Sequence, residues 1–193
     1  MSLLLDQPAI RARVHRVSVA EYHRMGEIGM LDESHELLRG YVFKKMPKSP
    51  LHERISQKLM MTLIRAVPAD YSVRPERPLT IGDSEPEPDL SIVRGSPDDW
   101  ADRHPATAQL VVEISVTTLD TDLEKAAISA EAGVPEYWLV RPERAEVDVY
   151  RRPVDGRYAE KVTLHAADTL RCASIAGVEV KLGEVFAVCA ERL

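Results

Sequence analysis

Little in this chain suits covalent cross-linking or soft-metal chemistry. Its 193 residues include only two cysteines, Cys172 and Cys189, which have neither the number nor the spacing of a disulfide framework or a zinc site. The expected setting is therefore a reducing one, the cytoplasm. Aromatic residues make up only 5% of the chain, so there is little flat surface on which a sugar would stack. No apolar run approaches the roughly 20 residues of a membrane span. The opening Met-Ser-Leu-Leu-Leu-Asp is too short for a signal peptide and lacks the basic flank of one, so no membrane partner is expected. Positive charge is also short, with 25 Lys and Arg against 31 Asp and Glu and a net charge of −6. That balance counts against a broad basic surface but leaves room for a local basic patch. There is no P-loop, no nucleophile elbow, no internal repeat and no low-complexity tract.

What is present is an ordinary globular composition, 45% hydrophobic and 29% charged, enough for one domain with a real core. Residues 1–17, with Pro8 and three arginines up to Arg16, read as a flexible N-terminal arm, and 18–193 as a single domain. Ser18 and Glu21 have capping-box spacing, which predicts a short helix ended by Gly26 and Gly29. His35 to Met46 reads as a hairpin turning near Arg39-Gly40. From Leu51 to Val67 runs the best amphipathic helix, with Ile55, Leu59 and Leu63 on one face and Pro68 as its stop. Tyr71 to Ile81 alternates like a strand, and Pro75 and Pro78 make it an edge or interrupted one. A loop follows from Arg94 to Thr107, with a helical turn near Asp98 to Ala101 and Trp100 as its packing anchor. Thr121 and Glu124 predict a helix over 122–132, stopped by Gly133 and Pro135. Tyr137 to Val140 is apolar enough for a buried strand, and Glu146 to Tyr150 and Tyr158 to Leu164 follow as further strands, the latter after an Asp155-Gly156 turn. The order of elements predicts an α/β fold, a mixed central sheet flanked by helices.

The chemistry-bearing residues lie at strand ends and on two helices. In the strand Gln109 to Ser115, Leu110, Val112 and Ile114 share one face, and Val111, Glu113 and Ser115 share the other. Asp89 opens a neighbouring apolar run, Leu90 to Val93. Two carboxylates on adjacent strands repel unless one is protonated or a cation lies between them, and Mg²⁺ takes one or two carboxylates with waters and phosphate oxygens. The alternative is that Asp89 caps a strand and Glu113 pairs with an arginine. His52 falls in the first turn of the long helix, where the dipole disfavours its protonated form; it is either a neutral donor to phosphate or a surface residue. Lys44, Lys45, Lys48, Arg54 and Lys58 form either a backbone-phosphate patch or a solvated face. Lys125 follows the Glu113 strand through a short connection and can reach back over the strand end, although its residue type favours the surface.

Taken in order, Pro88-Asp89, Val112-Glu113-Ile114-Ser115 with Thr117-Thr118, Lys125, and Gly133-Val-Pro-Glu-Tyr-Trp138 resemble the Uma2 family, a DUF820-type group of the PD-(D/E)XK nuclease superfamily. The resemblance runs from about Ser18 to Phe186. It implies a restriction-endonuclease-like core and a metal-dependent phosphodiesterase, a DNA endonuclease. Asp89, Glu113 and the carbonyl of Ile114 would then hold Mg²⁺ or Mn²⁺, which would polarise the scissile phosphate. Ser115 stands where most of the superfamily has a lysine, and Lys125 looks like its migrated replacement. Glu36 matches an acidic position of the family and His52 a histidine position, which adds both to the candidate catalytic group. Relatives add homodimerisation as an expectation. Two competing readings remain, a binding module on the same fold that no longer cuts and binds nucleic acid or protein, and a glycosidase pair made of Asp89 and Glu113. The acidic net charge favours the first of these modestly, and the shortage of aromatics counts against the second.

Overall fold

The structure is a computed structural model that describes residues 7–190. Residues 1–6 of the expected arm and the side chain of Cys189 lie outside it. Within the arm, Pro8–Arg11 form a one-turn helix, α1. Farther along, the Val17 amide donates to the Gly40 carbonyl at 2.8 Å and the Arg16 guanidinium lies over the Tyr41 ring.

Helix α2 (Val19–Glu27) begins with the expected capping box. Ser18 Oγ accepts from the Glu21 amide at 3.3 Å, and the Glu21 carboxylate accepts from the Ser18 amide at 2.8 Å. Strands β1 (His35–Leu38) and β2 (Tyr41–Lys44) form the hairpin, with Arg39 and Gly40 both in the left-handed region at φ 55 and 73°. That is the backbone a two-residue hairpin turn requires. A side chain at residue 40 would meet Arg16, whose Cβ stands 2.7 Å from where the new atom would be. The Arg39 guanidinium reaches away from the turn to Glu124 and Glu131, tying the hairpin to a helix far along the chain.

Helix α3 (Pro50–Ala66) starts at Ser49, whose hydroxyl accepts from the His52 amide at 3.2 Å. Its apolar stripe packs on a six-stranded sheet of order β3 (Tyr71–Pro75), β4 (Leu90–Arg94), β5 (Leu110–Ile114), β6 (Glu136–Arg141), β7 (Glu146–Val154) and β8 (Arg157–His165). All neighbours are antiparallel except β5 and β6, which are parallel and joined by helix α4 (Leu119–Glu131). Strand β3 stops at Pro75, where Glu76 takes φ 48°, so the alternation to Ile81 continues as loop. The connection after β4 holds a single 3-10 turn, Pro97–Trp100, and Trp100 packs against the core as its anchor.

Helix α4 begins three residues earlier than the Thr121–Glu124 spacing predicts. The Thr118 carbonyl already accepts from the Asp122 amide at 2.9 Å, and Thr118 Oγ1 donates to the Asp122 carboxylate at 2.7 Å. The chain leaving β5 bends at once, so Thr118 takes the capping position and Thr121 falls inside the first turn. Lys125 therefore comes at the end of the second turn, one turn beyond Asp122.

Two cores sandwich the sheet. Ile55, Leu59 and Leu63 meet Leu110, Val112 and Ile114 on the α3 face. That face is closed by the short hairpin β9 (Thr169–Arg171) and β10 (Glu179–Lys181) and by helix α5 (Leu182–Ala190). On the other face Ala126 and Ile128 of α4 meet Val111, Tyr137 and Leu139. This is the expected architecture, and the two-residue alternation along β5 decides which side chain joins which core.

Leu59 is fully buried, so Leu59→Ala should cost about 2–5 kcal/mol and lower the urea midpoint accordingly. Met61 is 44% exposed, and Met61→Ala should stay within about 0.5 kcal/mol. Equal midpoints for the two variants would mean that α3 buries a different stripe.

Candidate active site

The pairing of β4 with β5 brings the two acids together. Leu90 lies opposite Val112 in an antiparallel ladder, and one step further that register sets Asp89 beside Glu113. The Asp89 amide donates to Glu113 Oε2 at 3.3 Å, so the two residues are joined by backbone as well as by proximity. Both side chains are buried at the floor of a cavity of about 360 Å³, which the β1–β2 hairpin, residues 45–49, the start of α3 and the start of α4 surround.

Each acid has a distinct set of partners. Asp89 Oδ2 accepts from the Ile114 amide at 2.8 Å and faces His52 Nε2 at 3.0 Å. Its other oxygen, Oδ1, lies 3.1 Å from Lys48 Nζ, and the same ammonium is 3.0 Å from Glu76. Glu113 Oε1 lies 3.2 Å from Lys125 Nζ but at angles outside those of a hydrogen bond, so it is a buried carboxylate oxygen with a charge beside it and no directed donor. Lys125 is also 3.0 Å from Glu36, whose carboxylate accepts from the Glu87 amide at 3.2 Å. Asp122 forms the remaining acidic wall, buried on α4 one turn before Lys125.

Burial pushes the Glu113 carboxyl well above the ordinary range; Lys125 opposes that rise, and the Asp89, Asp122 and Glu36 carboxylates reinforce it. Burial acts on Asp89 in the same direction, but the His52 hydrogen bond and charge, Lys48 and the Ile114 amide outweigh it and hold its carboxyl down at about 2. Because Asp89 stays ionised, His52 Nε2 is the donor in their contact. Burial works against the Lys125 ammonium, and the Glu113 and Glu36 carboxylates more than offset it, so Lys125 keeps its proton.

The structure thus brings Glu36, His52, Asp89, Glu113 and Lys125 into one cluster, with the Ile114 amide in contact and its side chain in the α3-face core. The five basic candidates separate. Lys44, Lys45 and Lys48 line the cavity, with Lys45 held by Glu87 at 2.7 Å. Lys58 points elsewhere and donates to the Glu184 carbonyl at the edge of a second groove between α3 and α5. Arg54 is exposed on α3 and lines neither. One residue escaped the sequence reading as a site member, and another entered it in a different role. Asp122 had a readable signal, since it stands three positions before Lys125 on one helix. Lys48 was legible only as a phosphate contact, because its pairing with Asp89 crosses from a loop to a strand.

Among the described residues, no three or more His, Cys, Asp or Glu side chains are grouped in a way that could hold a metal ion. A hard cation needs less here. Asp89 and Glu113 are two carboxylates lining one cavity, with Glu113 Oε1 buried and without a hydrogen-bond donor, and Mg²⁺ or Mn²⁺ completes such a pair with water and phosphate oxygens. The donor set fits the group that the fold family implies.

In chelator-treated protein the raised Glu113 pKa sets the sign of a pH effect. A carboxyl whose folded pKa exceeds its unfolded value of about 4.3 contributes stability while protonated, and that contribution is lost as the pH rises through the folded value. Glu113→Gln keeps the neutral form at every pH. Its melting temperature relative to wild type should therefore be higher at pH 8 than at pH 4.5. For Asp89→Asn the change lies lower: a carboxyl held at about 2 contributes stability above its unfolded value of about 3.9, so the deficit of this variant should be constant from about pH 4.5 to 8 and shrink as the pH falls from about 4 toward 2. A pH-independent difference for Glu113→Gln would show that its carboxyl is not raised.

Comparison with known proteins bears on the fold and the family. A crystal structure from Anabaena variabilis, described as "a putative nuclease belonging to DUF820", superposes with a TM-score of 0.70 at 18% identity, covering 84% of this chain and 97% of that one. At that identity the likeness is one of fold. No curated protein matches the chain. The model of the Uma2 family, whose description reads "Putative restriction endonuclease", matches residues 19–183, and the chain belongs to that family.

Proposed function

We propose that this protein is a divalent-metal-dependent endonuclease that hydrolyses phosphodiester bonds of DNA, with Asp89 and Glu113 as the metal-binding pair. The observation that carries this reading is the cluster itself. Two residues with buried carboxylates are joined by a 3.3 Å hydrogen bond from the Asp89 amide to Glu113 Oε2, and a buried lysine stands 3.2 Å from Glu113 in the lining of one cavity. Charged residues are seldom placed this deep without a partner, and ionisable groups with displaced pKa values in a cleft are functional-site candidates.

Asp89 Oδ1, Glu113 Oε1 and the Ile114 carbonyl would hold Mg²⁺ or Mn²⁺, which when bound supplies Lewis-acid polarisation of the phosphate and a more acidic water. Lys125 sits where its ammonium can orient the attacking water and oppose charge that develops on the phosphate, an effect that is strong where bulk water is excluded. Glu36 anchors that ammonium from the other side, so it cannot swing away from Glu113. His52 and the Ile114 amide fix the Asp89 carboxylate from behind. Lys44 and Lys45, which line the cavity, would supply contacts to backbone phosphates, Lys45 on release from Glu87.

Metal and chemistry separate by mutation. Asp89→Ala and Glu113→Ala should lose the rise in melting temperature that Mn²⁺ gives the wild type, with the fold retained. A rise of wild-type size in both variants would sink the site. Lys125→Ala should keep the Mn²⁺ effect and lose at least about 100-fold in the rate of cutting. Residues 113 and 115 share a strand face, so Ser115→Lys in the Lys125→Ala background should recover part of the activity from the superfamily's usual direction. Undiminished cutting by Lys125→Ala would reduce the lysine to a structural counter-ion. Failure of the wild type to cut single- or double-stranded DNA with either metal would move the non-cutting reading ahead.

A further inference from the structure

The cation site of Asp89 is already in use by the protein. Asp89 has one oxygen, Oδ2, saturated by two donors, the Ile114 amide and His52. Its remaining lone pairs are on Oδ1, and the Lys48 ammonium lies 3.1 Å from that oxygen. Lys125 is not an equivalent occupant, because Glu36 and Glu113 enclose it and its side chain is 9% exposed. Lys48 is 31% exposed, lines the cavity mouth, and has a second anchor in Glu76 at 3.0 Å. Its backbone is restrained between Pro47 and the Ser49 cap of α3, so any motion is left to the four-carbon side chain.

We propose that Lys48 is a displaceable counter-cation that occupies the Asp89 half of the metal site in the free protein and moves to a substrate phosphate when the metal binds. The inference rests on the metal-site reading of Asp89 and Glu113 given above. An ammonium and a divalent cation cannot both sit on Asp89 Oδ1 without strong repulsion, so Mn²⁺ or Mg²⁺ must expel Lys48 and lose the energy of that ion pair. Glu76 keeps a partial partner for the expelled ammonium, and a phosphate entering the cavity offers a better one. Phosphate and metal therefore favour each other's binding through one side chain, a coupling that must be reciprocal. The arrangement keeps the site loaded with protein charge until substrate arrives. It also leaves Asp89 compensated in the absence of metal, when a bare buried carboxylate would be costly.

The test is a titration of chelator-treated full-length protein with Mn²⁺, with the free ion read by its electron paramagnetic resonance signal, so no turnover is needed. Lys48→Met should bind Mn²⁺ about tenfold more tightly than wild type, the order expected on removing a unit charge from a partly exposed site. Lys48→Gln, which keeps polarity without charge, should follow it, and Lys48→Arg should not. Thymidine 5′-monophosphate, which has no diester to cut, should tighten Mn²⁺ binding to the wild type severalfold and to Lys48→Met distinctly less. Glu76→Gln should weaken Mn²⁺ binding in the wild type and have a smaller effect in Lys48→Met, since the two residues act as a pair. Unchanged or weaker Mn²⁺ binding in both neutral variants overturns the inference, and so does equal tightening by the nucleotide with and without Lys48. The Asp89→Ala control distinguishes the two levels. If that variant loses Mn²⁺ while Lys48 variants match the wild type, the metal site stands and the counter-cation falls; if Asp89→Ala binds Mn²⁺ like the wild type, both fall.

Discussion

Burying two carboxylates side by side is the constraint on which the arrangement of this protein turns. The β4–β5 register places Asp89 and Glu113 together at a strand end, out of water, and no fold can tolerate that without compensation. Asp89 receives an amide, an imidazole and an ammonium and stays ionised. Glu113 receives one amide and a lysine at poor angles, and burial raises its pKa. The two acids are thus chemically unlike although they are neighbours, and the difference comes from which donors the surrounding elements can aim.

Those donors come from every layer of the molecule. Helix α3, on one face of the sheet, contributes His52 from its first turn; helix α4, on the other, contributes Lys125 and Asp122. The hairpin supplies Glu36 and, through Arg39, a tie to Glu124 and Glu131 that holds it against α4. The site therefore lies at the carboxyl end of β5, where the parallel crossover through α4 begins, the usual position for ligands in open α/β sheets. A rotation of α4 by one residue would move Lys125 by about 100° and leave Glu113 facing no cation.

Other buried charges in the chain are handled differently, and the contrast sharpens the reading of this one. Glu136 is nearly inaccessible, yet it accepts from Arg151, from the Trp138 indole and from the Ala173 and Ser174 amides. Asp148 is likewise buried and is met by Arg141, Lys161 and Thr163. Both are satisfied fasteners of the sheet, and neither lines the cavity around Asp89 and Glu113. Glu113 differs in lining a cavity while one of its buried oxygens has no directed donor. An incompletely satisfied acid on a cavity floor has capacity left for a ligand, whereas Glu136 and Asp148 have used theirs.

Local periodicity determined a good part of this protein in advance. The three-to-four-residue spacing of Ile55, Leu59 and Leu63, the two-residue alternation around Glu113, the Ser18–Glu21 cap and the Arg39-Gly40 turn are each readable because the interactions that produce them act within one turn or one strand. Only tertiary structure decided the pairings. Lys125, of a residue type that favours the surface, is buried between Glu36 and Glu113 because β1 and β5 converge on its helix. Lys48 joins Asp89 while Lys58, from the same basic stretch, turns to the far groove. Helix α4 starts at Leu119 because the bend after β5 makes Thr118 its cap, ahead of the equally plausible Thr121. A charged side chain reaches any partner within several ångströms at little cost in local conformation, so its identity constrains its neighbour weakly, and strand register and helix packing make the choice.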